Sequence, residues 1–93
     1  MKTFKWDEKK NKKLKKEQNV SFEQVIFLVE NGCVIDIINH PNQITYSNQK
    51  VYIILIQDCV HLVPFVDSQN ERFLKTIIPS RKSTKLYKEG KLK

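Results

Sequence analysis

Glycine and proline are scarce in this chain of 93 residues, which has two of the first and three of the second. That scarcity argues against a flexible linker, and no internal repeat or low-complexity stretch occurs beyond a Lys-rich start. Cysteine is nearly absent too. Cys33 and Cys59 stand 26 positions apart with no C-x-x-C pattern, and both lie in apolar surroundings. They are expected to be two reduced, buried thiols rather than a disulfide or a metal site. The longest apolar run, Val51 to Ile56, falls far short of the ~20 residues a membrane helix needs. No apolar stretch follows the basic N-terminus, so no secretory signal is predicted and the expectation is a soluble, cytoplasmic protein without membrane partners. The content of 40% apolar residues, with one Trp, three Tyr and five Phe, suffices for one modest core. A chain this short buries only roughly 60–65% of its unfolded surface, so a single domain over residues 1–93 is expected.

Acidic charge is also in short supply. Ten carboxylates face 17 basic side chains, for a formal charge of +7. The total divides into three blocks. Residues 1–20 carry eight lysines against Asp7, Glu8 and Glu17, a net +5; residues 21–70 carry Lys50 against five acids, a net −4; residues 71–93 carry eight basic groups against Glu71 and Glu89, a net +6. Basic flanks suit a polyanion, because each neutralised phosphate releases counterions. Their plainer role is to keep a small domain in solution. Only two of the 17 cations are arginine, Arg72 and Arg81. In a chain that defaults to lysine, these mark places where a planar fork for phosphate or carboxylate is needed.

Hydrophobic periodicity predicts an α+β domain with two N-terminal helices, a four-stranded, mainly antiparallel sheet over residues 33–78 and a short C-terminal helix. Residues 7–18 have helix-forming composition with acids in the first turn and a thin apolar stripe, Trp6 and Leu14, that would pin a surface helix. Residues 21–31 form the core helix: Ser21 caps it with Gln24 in the capping-box position, Phe22, Val25, Ile26 and Val29 share a face, and Gly32 stops it. Strands follow at Cys33 to Ile38, at Lys50 to Gln57 (apolar on both faces, hence central), at Val60 to Val66 and at Arg72 to Ile78. A loop at His40-Pro41-Asn42-Gln43 and a tight turn at Asp58–Cys59 separate them. Pro64 inside the third run predicts an edge or a bulge. Pro79 ends the sheet, Ser80 caps a helix over about 80–89, and Gly90 closes the fold.

The sequence contains no P-loop, H-E-x-x-H, G-x-S-x-G or Cys–His metal spacing. Either His40 or His61 could serve as a base near neutral pH, or they are simply a loop and a strand residue. The segment KTIIPSRKSTK, residues 75–85, is more informative. It places Arg81, Lys82 and Lys85 at a helix start, where free backbone N–H groups already favour anions. An ordinary capped helix on a basic protein has the same composition.

The opening FKWDEKKNKKLKKEQNVSFEQV resembles the start of BrnT-type toxins, through Phe4, Trp6, Asp7, Lys10, Asn11, Val20, Ser21, Phe22 and Glu23. The stretch IIPSRKSTK is similar to that family's Ile-Ile-Ser-Ala-Arg-Lys/Arg-Ala-Thr segment, through Ile77, Ile78, Arg81, Lys82, Thr84 and Lys85. The likeness spans nearly the whole chain. It departs from the family pattern at Glu17-Gln18-Asn19, where members often have Lys-His-Gly. It departs again before the central strand, where Asn48 or Gln49 and Lys50 replace an acid and an Arg, and at Thr76, where an Arg often precedes Ile-Ile. The resemblance implies the toxin of a type II toxin–antitoxin pair with a fold like the RelE ribonucleases. Such a toxin cleaves RNA without a metal or other cofactor, and is held by a cognate antitoxin that also binds operator DNA.

Metal-free RNA cleavage requires that the 2′-OH be deprotonated, the phosphoryl oxygens stabilised and the leaving 5′-oxygen protonated. Under this resemblance Arg81 is the candidate phosphoryl clamp. Lys50 and Lys82 are candidates for charge stabilisation or proton transfer. Tyr46 or Tyr87 would orient or stack on a nucleotide. Lys10 and Lys85 would grip flanking phosphates, and Arg72 and Lys75 would add basic character beside the site. Two other readings fit the same residues: a catalytically impaired relative that binds RNA or antitoxin in regulation, and a small basic binding domain with no toxin ancestry.

Overall fold

The computed structural model describes residues 3–39 and 48–91. The elements run β1 (Thr3–Trp6), α1 (Glu8–Gln18), α2 (Phe22–Glu30), β2 (Val34–Asn39), β3 (Gln49–Ile56), β4 (Cys59–Asp67), β5 (Glu71–Leu74), β6 (Ile78–Pro79) and α3 (Arg81–Lys88). The α+β class is as expected. The sheet, however, has six strands among the described residues rather than four, in the order β1-β5-β4-β3-β2, with β6 also on β4. It is mixed, because β1 runs parallel to β5 while the other pairs are antiparallel. Trp6 therefore sits on a strand and not on the helix it precedes. The expected loop at His40 to Gln43, and Tyr46, lie outside the described residues.

Local chemistry sets the helix ends. Asp7 caps α1 by accepting from the Lys9 N–H at 3.0 Å. Ser21 caps α2 by accepting from the Gln24 N–H at 3.1 Å. Gly32 ends α2 at φ +70°, with its N–H on the Val29 carbonyl and the Cys33 N–H on the Leu28 carbonyl. This is the paired closure that a left-handed residue allows. The β3–β4 hairpin turns through Gln57 and Asp58, both at positive φ (53° and 65°), one residue earlier than expected. Two left-handed residues match the twist of the flanking strands.

Cross-strand register sorts the side chains. Tyr52, Ile54 and Ile56 on β3 share a face with Val63 and Phe65 on β4 and Leu74 on β5. Leu14, Val20, Phe22 and Val25 cover that inner face, and together they form the main core. Ile77 joins this core, and the remaining buried apolar residues, Ile53 and Val60, point the other way by alternation.

The single strand expected over Arg72 to Ile78 is instead two, and Pro64 supplies the reason. Its carbonyl accepts the Lys75 N–H at 2.9 Å. A proline has no N–H to offer in return on the same side. The partner chain therefore leaves the ladder over Lys75–Ile77 and pairs again at Leu62↔Ile78. The alternation of a single strand is lost across this stretch: Leu74 and Ile77 are both buried, while Phe73 and Ile78 are both exposed. The expectation of two buried thiols also fails, since Cys33 is exposed and Cys59 half-buried, both free.

Candidate nucleic-acid interface

The C-terminal helix is fastened to the first residues of β4 by side-chain hydroxyls. Ser80 caps α3 by accepting from the Ser83 N–H at 3.1 Å, and its own N–H bonds the Val60 carbonyl at 2.9 Å. The Thr84 hydroxyl donates to the Ser80 carbonyl at 2.7 Å and accepts the Val60 N–H at 2.8 Å. One threonine thus satisfies a strand donor that has no ladder partner and holds the helix in place.

That anchoring sets where the cations go. Arg81, Lys85 and Lys88 repeat at helical spacing and fall on one face, within about 10 Å along the axis. They line an open cleft of about 390 Å³ with Thr84, Cys59 and Glu89. Arg81, Lys82, Lys85 and Lys88 are all exposed, whereas Tyr87 is half-buried. Lys88 was not singled out from the sequence, although the 81-85-88 spacing was there to be read; Thr84 was quoted only within a motif and Cys59 only as a thiol.

At the far end of the sheet stands a second basic group. Tyr52 is fully buried and stacks on Phe65 with centroids 4.2 Å apart. The Arg72 guanidinium lies 5.5 Å from the Phe65 ring centre and 6.0 Å from that of Tyr52. It donates through Nη1 to the Tyr52 hydroxyl and through Nε to Asp67 Oδ1 at 3.1 Å. Lys50 meets the other Asp67 oxygen at 3.5 Å. Burial raises the Tyr52 pKa against the opposing pull of Arg72, so the phenol stays protonated. Burial works against the Arg72 charge, but Tyr52 and Asp67 outweigh it and raise its pKa.

The structure therefore divides the residues nominated from sequence. Lys50 and Arg72 come together at Asp67. Arg81, Lys82 and Lys85 come together at the start of α3, where β6 pairs with His61. Six residues of strand separate His61 from Asp67, about 20 Å at the usual rise. This exceeds what an arginine and a lysine can close upon one phosphodiester. Lys75 is exposed beside Pro64, and Lys10 is exposed on α1. His61 is only 6% exposed, and its Nδ1 bonds the Cys59 carbonyl at 2.8 Å. A carbonyl only accepts, so Nδ1 carries the proton.

The N-terminal motif, apart from the exposed Lys10, is built into the fold. Asn11 is wholly buried. Its amide donates to Glu23 at 2.7 Å and to Glu8 at 3.2 Å, its oxygen accepts the Phe22 N–H at 2.9 Å, and Glu8 also accepts from the Trp6 indole at 2.7 Å. Trp6 leans on Phe22 with ring centres 6.3 Å apart. Lys15 joins this network from outside, pairing with Glu23 Oε2 at 3.4 Å, and the lysines of α1 are all exposed. Among the described residues, no group of three or more His, Cys, Asp or Glu side chains is gathered for a metal ion, and no helix is long and apolar enough to cross a membrane. Comparison with protein-family models, with curated proteins and with solved structures returns no match.

Proposed function

We propose that this chain is an RNA-directed protein, the toxin half of a type II toxin–antitoxin pair, and that α3 is the side that meets RNA. The observation that carries the reading is the row Arg81, Lys85 and Lys88 along one open cleft. The order of two helices, a mainly antiparallel sheet and a basic C-terminal helix supports a RelE-like arrangement, in keeping with the resemblance to BrnT-type toxins. In the catalytic form of this reading the RNA 2′-oxygen attacks the adjacent phosphorus. The P–O5′ bond breaks, a 2′,3′-cyclic phosphate forms, and the proton lost from the 2′-OH is balanced by one delivered to the 5′-oxygen. Arg81 holds two phosphoryl oxygens through its fork. Lys82 beside it stabilises charge or moves a proton, Lys85 and Lys88 hold flanking phosphates, and the antitoxin covers the same cations.

A second reading, a catalytically impaired relative that binds RNA or antitoxin, is favoured by one observation. Lys50 and Arg72 are engaged with Asp67, far from Arg81, so the cations implied for one site are not assembled around one phosphate. Incubating purified protein with RNA in EDTA separates the two. Loss of intact RNA with wild type, and its preservation with Arg81→Ala, supports the nuclease. RNA that is bound but stays intact supports the impaired relative. Absence of both binding and cleavage contradicts the RNA-directed reading altogether.

A further inference from the structure

Among the described residues, α1 and α2 close the inner face of the sheet, but the outer face is only partly covered. α3 packs on β4 and is fastened at Val60, where Val60 and Ile53 are 0% and 5% exposed. Beyond that end the register lays out a contiguous apolar grid. Ile38, Val51 and Pro64 form one cross-strand row, Leu62 and Ile78 continue a second from the covered Ile53, and Val66 and Phe73 form a third with Gln49 at its β3 end. Ile38, Phe73 and Ile78 are 41%, 40% and 44% exposed. A contiguous apolar surface on a chain of this size marks an interaction site.

Its margins are unevenly charged. Lys5 is the β1 partner of Phe73, and Lys75 is bonded through its backbone to Pro64. Both are exposed, so a cation stands beside two of the rows along the same long side. The exposed Lys82 lies beyond the β6 end. Two acids also belong to this face. Asp36, at the β2 margin, has a carboxylate oxygen that accepts from the Ile37 N–H, and Glu71 lies past Phe73 at the far end of β5. An apolar floor of this extent has nothing to offer a phosphate backbone, whereas helices packed on a sheet face are the ordinary way such a layer is completed.

We propose that the uncovered part of the outer face docks an amphipathic helix of a partner protein, with its apolar stripe on Phe73, Ile78 and Leu62 and its acidic flank toward Lys5 and Lys75. The helix lies beside α3 as a continuation of the same layer. This inference goes beyond the RNA-directed reading and stands without it.

The probe is a labelled helical peptide of about 18 residues (five turns), with Leu at i, i+3, i+4 and i+7 and Glu on the remaining face. Its controls are the same composition in scrambled order and the same pattern with Lys for Glu. Fluorescence anisotropy with the full chain is expected to show binding of the Glu peptide only. Amide shifts are expected to centre on Leu62, Val66, Phe73 and Ile78. The Phe73→Ser/Ile78→Ser double variant is expected to weaken binding at least tenfold. Lys5→Glu/Lys75→Glu is expected to weaken the Glu peptide and admit the Lys peptide. Trp6 lies on the inner face against Phe22, so its unchanged emission confirms that each variant is folded. Equal binding of the scrambled peptide, indifference to either double variant, or shifts confined to other surfaces overturns the proposal. So does binding to anionic phospholipid vesicles, with the same variant dependence, in place of the peptide; the face would then be a lipid-binding one.

Discussion

The side-chain oxygen of Asn11 accepts the backbone N–H of Phe22 at 2.9 Å, eleven residues away in sequence. The first residue of α2 is thereby paired by a fully buried side chain of α1. The same asparagine holds Glu8 and Glu23 with its amide, so one residue fixes the angle between the two helices that roof the core.

Replacing Asn11 tests that account. Asn11→Ala leaves the Phe22 N–H buried and unpaired and opens a small void. The expected cost is about 2–3 kcal/mol, read as a fall of roughly 10 °C or more in the thermal midpoint followed by circular dichroism. Asn11→Asp keeps the size but faces Glu8 and Glu23 with a third carboxylate, and is expected to be at least as damaging at neutral pH.

The same network gives stability a pH dependence. Hydrogen bonds from Trp6 and then Asn11 lower the Glu8 pKa, and the bond from Asn11 is the main cause of the lowering at Glu23. A carboxylate with a lowered folded-state pKa stabilises the fold above its unfolded pKa of about 4.3, and that contribution disappears as pH falls through the folded value. The urea midpoint is therefore expected to be flat from pH 7 to about 5 and to fall below about 4. Glu23→Gln should flatten that acid limb; an unchanged limb would assign it to other carboxylates.

Thr84 is the pin between α3 and β4. Thr84→Val keeps the shape but leaves the Val60 N–H without its acceptor, at an expected cost of about 1–3 kcal/mol. Thr84→Ser retains the hydroxyl and should cost much less. Hydrogen exchange at Val60 and through α3 reads the difference directly. Equal exchange in both variants would show that the hydroxyl does not hold the helix.

What could be read from the sequence follows the range of the physics involved. The α2 cap at Ser21, its stop at Gly32 and the central position of β3 rest on local chemistry and periodicity, and the structure has them. β1 was not foreseen. It is a short strand containing Lys5, and it exists only because residues nearly seventy positions later offer a parallel edge. Pro64 was expected to mark an edge or a bulge, whereas β4 is an interior strand with an unbroken register on β3; a sequence does not say which neighbour will lift away from such a residue. The basic residues were visible individually. Their separation into an Asp67 pair and an α3 row depends on which end of β4 each meets, and no local pattern encodes that. Asn11 was quoted only as part of a motif; its burial depends on Glu23 and Phe22 arriving from another helix.

The central claim is that the α3 row meets RNA, and the salt dependence of binding tests it most directly. For a single-stranded oligonucleotide, each phosphate contact contributes about −0.7 to the slope of log K against log [salt]. Arg81→Ala/Lys85→Ala/Lys88→Ala is expected to make that slope about 2 units shallower, while Lys50→Ala leaves it nearly unchanged. A triple variant with the wild-type slope and affinity, or a wild-type protein that binds no RNA at low salt, would contradict the account.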